Sequence, residues 1–398
     1  MTDWKECKIA DAPFEIIDGD RGTNYPKQDE FSQNGYCLFL NAKNVTTDGF
    51  AFNDCYFISK EKDQILRKGK LQRNDIVLTT RGTVGNIGFF NDRIPYENIR
   101  LNSGMVIIRP DPKGILPEYT HQLFKYLKSD FDAFATGSAQ PQLPIRDLKE
   151  IFFLLPPLPE QRAIAGVLSS LDDKIDLLHR QNKTLEGMAA AIWRKMFVEE
   201  ADPGWPIKKI EEIANRIQYG FTQSATADTV GPKFLRITDI QGGIVNWETV
   251  PYCFATEQEF VKYKLNTGDI VVARTGASTG ENLFIQTPPR AVFASYLIRI
   301  QFTSIALSRY ISIHLRSPEY FSYIEGILSG SAQPNANAKQ LTSFEIQLPP
   351  FDLLDNFYSS IRVLDEKYKI NNSQICALSN LRDTTLPRLM SGEVRVKT

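Results

Sequence analysis

PPLPEQRAIAGVLSSLDDKIDLLHRQNKTLEGMAAAIWRKMF, residues Pro156 to Phe197, decides how the chain is read. Ile164, Leu168, Leu171, Ile175, Leu178, Asn182, Leu185, Ala189, Ile192 and Met196 are spaced alternately four and three apart, which keeps one stripe of a helix facing a second helix. So narrow a stripe buries little alone, and the helix needs a partner. Pro159 suits the first helical turn because its missing N–H costs nothing there, and Glu160 suits the positive end of the helix dipole. From Pro159 to Val198 such a helix would run about 60 Å, with Asp202-Pro203-Gly204 ending it.

The partner comes from an internal repeat. Gly137-Ser138-Ala139-Gln140-Pro141 recurs as Gly330-Ser331-Ala332-Gln333-Pro334, an offset of 193. The same offset carries Leu148 to Leu341, Pro156-Pro157 to Pro349-Pro350, and Leu171-Asp172-Asp173-Lys174 to Leu364-Asp365-Glu366-Lys367. Upstream, with small shifts, Asp75-Ile76-Val77 and Gly82 match Asp269-Ile270-Val271 and Gly276, Phe39-Leu40 matches Phe234-Leu235, and Trp4 and Trp205 open the two copies. The chain is therefore one globular domain followed by a helix, written twice, with divergent sequence between the matches.

Transferred by the offset, the stripe becomes Phe357, Ile361, Leu364, Tyr368, Asn371, Ile375, Leu378, Arg382, Thr385 and Leu389 on a helix from about Asp352 to Leu386, stopped by Pro387. Beyond Leu378 the apolar pattern drifts toward Leu381. Copies related by a pseudo-twofold axis would bring the helices together antiparallel, with Asn182 meeting Asn371. Their amides would then fix register and orientation at some cost in stability. The alternative is that each asparagine bonds water at a frayed seam.

Within each copy, short apolar runs between glycines and prolines read as strands: Tyr36 to Leu40, Asp75 to Thr79, Met105 to Arg109 and Ile151 to Leu155, then Lys233 to Thr238, Asp269 to Ala273, Tyr296 to Gln301 and Phe344 to Leu348. Pro117 to Leu127 and Ile305 to Leu315 have helical spacing. The expected fold is mixed α/β: two pseudo-twofold-related globular domains joined by two long antiparallel helices that form an intramolecular coiled coil. Its parts are a globular domain over 1–150, a helical spacer over 151–201, a second globular domain over 202–345 and a second spacer over 346–398.

A length of 398 residues suits two domains, and 42% hydrophobic with 23% charged residues is a globular composition. The chain lacks a run of about 18 apolar residues, and its acidic start is unlike a signal peptide, so a cytoplasmic protein with no membrane association is expected. Five scattered cysteines and three histidines form neither a disulfide framework nor a zinc site, and no metal is expected. Net charge is -1, and residues 1–150 carry 20 basic against 21 acidic side chains, residues 201–345 carry 13 against 13. A protein that simply coats nucleic acid would be strongly basic.

Catalytic patterns are missing. Each Pro-Pro pair, at Pro156-Pro157, Pro288-Pro289 and Pro349-Pro350, lacks the preceding Asn or Asp with which a base-amino methyltransferase holds its target. Neither GxGxxG nor GxxxxGK occurs, and His179 is expected on the outside of the helix. No catalytic residue and no cofactor of its own are assigned. What remains is polar readout: glycines let backbone approach phosphate, Arg grips guanine, and Asn or Gln grips adenine. The candidate DNA-binding residues are Arg21, Thr23, Asn24, Tyr25, Lys43, Asn44, Lys68, Lys70, Arg73, Arg81, Thr83 and Asn86 in the first copy. In the second they are Tyr219, Thr222, Gln223, Ser224, Arg236, Thr238, Arg274 and Ser278. Any one of them also fits an ordinary solvated turn. Gly-Ser-Ala-Gln-Pro, present in both copies, fits a scaffold role better than sequence reading.

Leu155-Pro156-Pro157-Leu158-Pro159-Glu160-Gln161-Arg162, followed by Leu171-Asp172-Asp173-Lys174-Ile175, and the ending Leu386-Pro387-Arg388-Leu389-Met390-Ser391-Gly392-Glu393-Val394, resemble the specificity subunit of type I restriction-modification enzymes. The resemblance spans the whole chain, although Phe351-Asp352-Leu353-Leu354-Asp355 replaces the Pro-Glu-Gln-Arg pattern in the second copy. It implies two target recognition domains, each reading half of a split asymmetric sequence in double-stranded DNA. It implies that the helices set the gap and dock two DNA methyltransferase subunits, joined by two ATP-dependent motor and endonuclease subunits. S-adenosylmethionine, ATP and Mg2+ would belong to those partners. The rival classes are a self-contained DNA methyltransferase or nuclease and a coiled-coil adaptor that binds no DNA.

Overall fold

The computed structural model describes residues 4–47, 49–137, 141–243, 245–328 and 335–396. The chain divides into two compact units, one formed by residues 1–174 and 379–398, the other by residues 175–378. Each unit thus takes a stretch of both long helices. Most of the two Gly-Ser-Ala-Gln-Pro repeats lies outside the described residues.

In the first unit a four-stranded sheet has the order Phe14–Asp18, Met105–Pro110, Ile76–Thr79, Ile87–Phe89, with every pairing antiparallel. A smaller sheet pairs Cys37–Leu40 with Phe57–Ile58 antiparallel and with Ile99–Leu101 parallel. Lys5–Lys8 pairs with Phe152–Leu155 just before the first long helix. The second unit repeats this: Arg216–Tyr219, Leu297–Gln301, Ile270–Ala273 and Asn282–Phe284 form the antiparallel sheet. Lys233–Leu235 runs parallel to Ala291–Phe293, and Ile207–Lys209 pairs with Glu345–Gln347. The expected strand over Lys233 to Thr238 stops at Leu235, because Ile237–Asp239 turns into a 3-10 helix capped by the Asp239 carboxylate on the Arg236 N–H.

Ile76–Leu78, Met105–Ile108 and Ile270–Ala273 are apolar without interruption because both faces are covered, whereas Arg299 breaks the run in Leu297–Gln301. Ile76, Leu78, Val106 and Ile108 face a core that includes Tyr119, Leu123 and Phe124 of the helix Pro117–Tyr126. Val77, Met105 and Ile107 face the opposite core with Leu38, Leu40 and Ile99. In the second unit Ile270, Val272, Ile298 and Ile300 take one side, and Val271, Ala273 and Leu297 the other. Each central strand opens on a buried aspartate. Asp75 accepts from the Gln72 N–H and two nitrogens of Arg109; Asp269 accepts from the Asn266 N–H and from Gln301 at 2.7 Å.

The long helices span Leu158–Arg194 and Phe351–Met390. The first ends in a π-helical turn, Lys195–Glu199, rather than continuing as α-helix to Val198. Pro387 does not stop the second. A proline inside a helix costs about 3 kcal/mol, but it lets Leu389 and Met390, each 2% exposed, enter the first unit's core. Burying two such side chains contributes about 3–6 kcal/mol. The stop falls at Gly392, which has φ +75° and lies against the Trp4 ring.

The helices run antiparallel within each unit. In the first, Asp172 accepts from Arg382 at 3.1 Å, and Ile164 and Leu168 share a core with Leu389. In the second, Phe197 meets Phe357 edge-on at 5.1 Å, and Ile175 and Leu178 pack with Ile375 and Leu378. Ile361 is buried, while Leu171, Leu185, Leu364 and Tyr368 are half-buried. Leu381 is 52% exposed, so the stripe does not drift toward it; Arg382 keeps the seam position because Asp172 satisfies its charge. At the centre of the second unit's seam the Asn371 amide donates to Asn182 Oδ1 at 2.9 Å, and Asn182 donates to Asn372 at 2.6 Å. His179 is exposed.

Two measurements probe this packing. Asn371→Leu leaves Asn182 Oδ1 without its donor in a buried seam and should cost about 1–3 kcal/mol, whereas adding Asn182→Leu should recover part of that loss in urea unfolding. His314 sits edge-on to Trp193 and Tyr310 at 4.7 Å with Nε2 shut off from water, and burial lowers its pKa from 6.5 to about 4. The folded state therefore holds a neutral ring that the unfolded chain protonates below 6.5. Stability should be intact above that value and fall toward pH 4, by up to roughly 3 kcal/mol from this group, and His314→Phe should remove this share of the fall, leaving the share of His121, whose pKa burial also lowers.

Candidate nucleic-acid interface

Strand register gathers the polar loops at one end of each sheet. In the first unit Asp18 opposes Val106 and Thr79 opposes Met105, so the segments after Asp18 and Thr79 and before Met105 emerge together. The parallel pair ends there too, because the Asn102 N–H donates to the Leu40 carbonyl. A glycine makes this closure possible: a Cβ on Gly19 would sit 2.5 Å from the Asn102 oxygen. The second unit uses the same device, with Gly220 held so close to Ala294 that a Cβ would fall 2.1 Å from its carbonyl oxygen. At the same end the turn after the central strand passes through Gly82, φ +77°, and Gly276, φ +78°, a backbone shape that glycine accepts freely. These turns lean on the flanks of the Gly-Ser-Ala-Gln-Pro repeats: the Gly82 N–H donates to the Pro141 carbonyl, and the Ala336 N–H to the Arg274 carbonyl.

Most first-unit candidates lie at this end, but they divide by what their side chains do. Thr23, Asn24, Lys43, Lys68 and Thr83 are exposed. Arg81 is half-buried, with no side-chain hydrogen bond among the described residues. Arg21 pairs with Asp18 at 3.2 Å and donates to the Ser103 carbonyl. Neighbouring Asp20 is 6% exposed; burial raises its pKa, but N–H donors from Gly22, Arg67 and Lys68 bring it below the usual value. Tyr25 packs edge-on to Phe39, and burial raises its pKa against opposing hydrogen bonds from Ser103.

Four candidates are engaged inside the unit. Asn44 is buried, accepting from the Asn41 N–H and donating to the carbonyls of Ala51 and Asp54. Asn86 donates to the Val45 carbonyl, and Lys70 pairs with Asp63 at 2.5 Å. Arg73 lies at the opposite end of the sheet, over the Phe90 ring, donating to the carbonyls of Asn91, Ile94 and Tyr96.

In the second unit Thr222, Gln223, Ser224 and Thr238 are exposed. Arg236 is gripped by both oxygens of Asp239, at 2.9 and 3.0 Å, which raises its pKa. Ser278 accepts from Gln241. Arg274 lies over the Tyr219 ring at 5.1 Å, and its Nε has no partner among the described residues. The Tyr219 hydroxyl accepts from the Ala338 N–H. The same scaffold thus presents different chemistry: the positions of Asn41, Asn102 and Thr80 are taken by Arg236, Ala294 and Arg274.

Asn41 and Asn102 were not among the sequence candidates. A signal existed, since each follows a leucine at a strand end, Leu40-Asn41 and Leu101-Asn102, and those strands are parallel neighbours. Among the described residues no group of three or more His, Cys, Asp or Glu is placed to hold a metal, and no helix is long and apolar enough to cross a membrane.

A family model described as the type I restriction modification DNA specificity domain matches residues 1–187. The chain is 25% identical over 389 residues to the type I restriction enzyme MjaIX specificity subunit of Methanocaldococcus jannaschii, covering 89% of this chain and 87% of that protein. It is 22% identical over 412 residues to the EcoKI specificity subunit of Escherichia coli, covering 94% and 86%. The crystal structure of a type I restriction-modification S subunit from M. genitalium shares the fold, with a TM-score of 0.56 at 16% identity over 98% of this chain and 96% of that one.

The division among arginines is testable by stability alone. Arg73→Gln should lower the unfolding free energy by about 1–3 kcal/mol, because three carbonyls lose their donor. Arg81→Gln should leave it within about 0.5 kcal/mol, as read from urea midpoints.

Proposed function

We propose that the chain is a DNA specificity subunit of a type I restriction-modification system, as its similarity to such subunits supports, and that each of its units reads one half of a split, asymmetric DNA sequence. The observation that carries this is the repetition of one scaffold with different side chains at the same sheet end. The same four-stranded order presents two loop sets in equivalent ways, while Asn41 against Arg236, or Thr80 against Arg274, gives each set its own donors and acceptors. Arg81, with no side-chain hydrogen bond among the described residues, and Arg274, stacked on Tyr219, can address base edges or phosphates, and the exposed threonines and asparagines supply further contacts.

The long helices set the gap between the two half-sequences and offer the surface on which two methyltransferase subunits dock. Two motor and endonuclease subunits complete the restriction complex. The chain itself catalyses nothing: methyl transfer from S-adenosylmethionine and ATP-driven translocation with Mg2+ belong to those partners, and the assembly works in the cytoplasm on double-stranded DNA. A net charge of -1 agrees with this division, since the methyltransferases can share the phosphates.

Footprinting of the chain with its methyltransferase tests the proposal. Two short protected blocks separated by an unprotected gap are expected, and exchanging residues 205–343 for another recognition domain should alter one block only. A single contiguous footprint, or changes in both blocks after the exchange, would overturn it.

A further inference from the structure

The first unit contains a cleft of about 320 Å³ at its candidate interface, at the small end of the range for ligand sites. Its walls are the rings of Tyr25, Phe31, Phe39 and Tyr56. Tyr25 and Phe31 both approach Phe39, at 5.7 and 5.4 Å, and Tyr56 meets Phe31 at 6.0 Å. Tyr56 is 38% exposed, so the cleft opens to solvent on an aromatic face.

Three amides complete the lining. Asn41 Oδ1 accepts from the Lys43 N–H and Asn102 Oδ1 from the Gly104 N–H, which fixes both side chains and leaves their N–H2 groups without acceptors among the described residues. Gln28, exposed on the 3-10 helix Gln28–Glu30, has neither donor nor acceptor engaged there. Lys43 and Lys68 stand nearby without carboxylate partners among the described residues, whereas Asp18, Asp20 and Glu30 are occupied by Arg21, by backbone N–H groups and by Lys62. In the second unit Phe234, the counterpart of Phe39, is buried with Phe221, Cys253 and Val292, and Tyr263 stacks on Phe221 at 5.0 Å.

We propose that this cleft holds one nucleobase lifted out of the DNA stack, in the half-sequence read by the first unit and not in the other. This rests on the DNA-reading function above. Aromatic rings stack on any base, the oriented amide donors select one bearing a carbonyl acceptor and so disfavour adenine, and lysines without carboxylate partners among the described residues suit the backbone that must bend to deliver it.

The test uses the chain in complex with its methyltransferase subunits and a duplex carrying the target defined by its methylated adenines. Each base of both half-sequences is removed in turn to leave an abasic sugar. Wild-type binding should fall about tenfold at one base other than adenine in a single half-sequence, the scale of a base stacked on an aromatic side chain. Tyr56→Ala should weaken binding to intact DNA by a similar factor and lose nothing further at that position, while Tyr56→Phe should behave as wild type. Gln28→Ala, an exposed change, gives the same coupling test if Tyr56→Ala does not fold. Additive losses at every position, or unchanged binding by both variants, overturn the cleft assignment. A wild-type complex that selects no sequence overturns the DNA-reading function instead.

Discussion

Each unit depends on one carboxylate that ties its globular part to a long helix. In the first, Asp172 accepts from Gln122 at 2.8 Å, Lys125 at 2.9 Å and Arg382 at 3.1 Å. Burial raises the pKa of Asp172, but Lys125 and the hydrogen bonds outweigh it, so the group stays ionised. In the second, both oxygens of Asp365 are gripped by Arg309, at 2.8 and 2.9 Å. A partly buried charge is costly unless every lone pair is answered, and removing one partner costs far more than the pair contributes. The pair therefore specifies geometry: the helix Pro117–Tyr126, or Ile305–His314, sits on the long helix in one rotation. This explains why Leu171-Asp172-Asp173-Lys174 and Leu364-Asp365-Glu366-Lys367 match while the reading loops do not.

The helices were legible in the sequence because their physics is local. A four-three spacing of apolar residues defines a face whatever lies around it, and the polar break in that pattern, Asn182, reappears at the seam against Asn371. Sheet order was not legible. A buried strand such as Ile76–Thr79 shows no alternation, and its neighbours come from residues 87–89 and 105–110 through pairings that no short pattern encodes. Arg73 and Arg81 show the same limit at the candidate site. Both flank turns in one basic segment, yet one meets three carbonyls and the other none, and only the folded chain places those acceptors. Pro387 misled for a related reason, since local propensity gave way to the burial of Leu389 and Met390.

The two sheet ends show how one scaffold supports separate specificities. Features that must stay are backbone features: Gly19 and Gly220 permit strand closure, and Asn44 and Asp239 cap the same turn by accepting from the residue three before. Features free to vary are side chains that stand on this frame without holding it. Exchange at Lys43 or Thr238, whose side chains are exposed on those turns, therefore alters the chemistry offered to a ligand while the turn beneath is unchanged.

The division of the helices also bears on the order of synthesis. The first unit's core includes Leu389 and Met390, and Asp172 waits for Arg382, 210 residues downstream. All of residues 175–378 must be made in between. At about 5–20 residues per second, that leaves the first globular part without its closing helix for roughly 10–40 s. The nascent chain spends that interval with an uncovered apolar face while a second, nearly identical topology emerges behind it. Low identity between the copies then serves biogenesis as well as recognition, because strands that differ in sequence are poor substitutes for one another in a half-finished sheet.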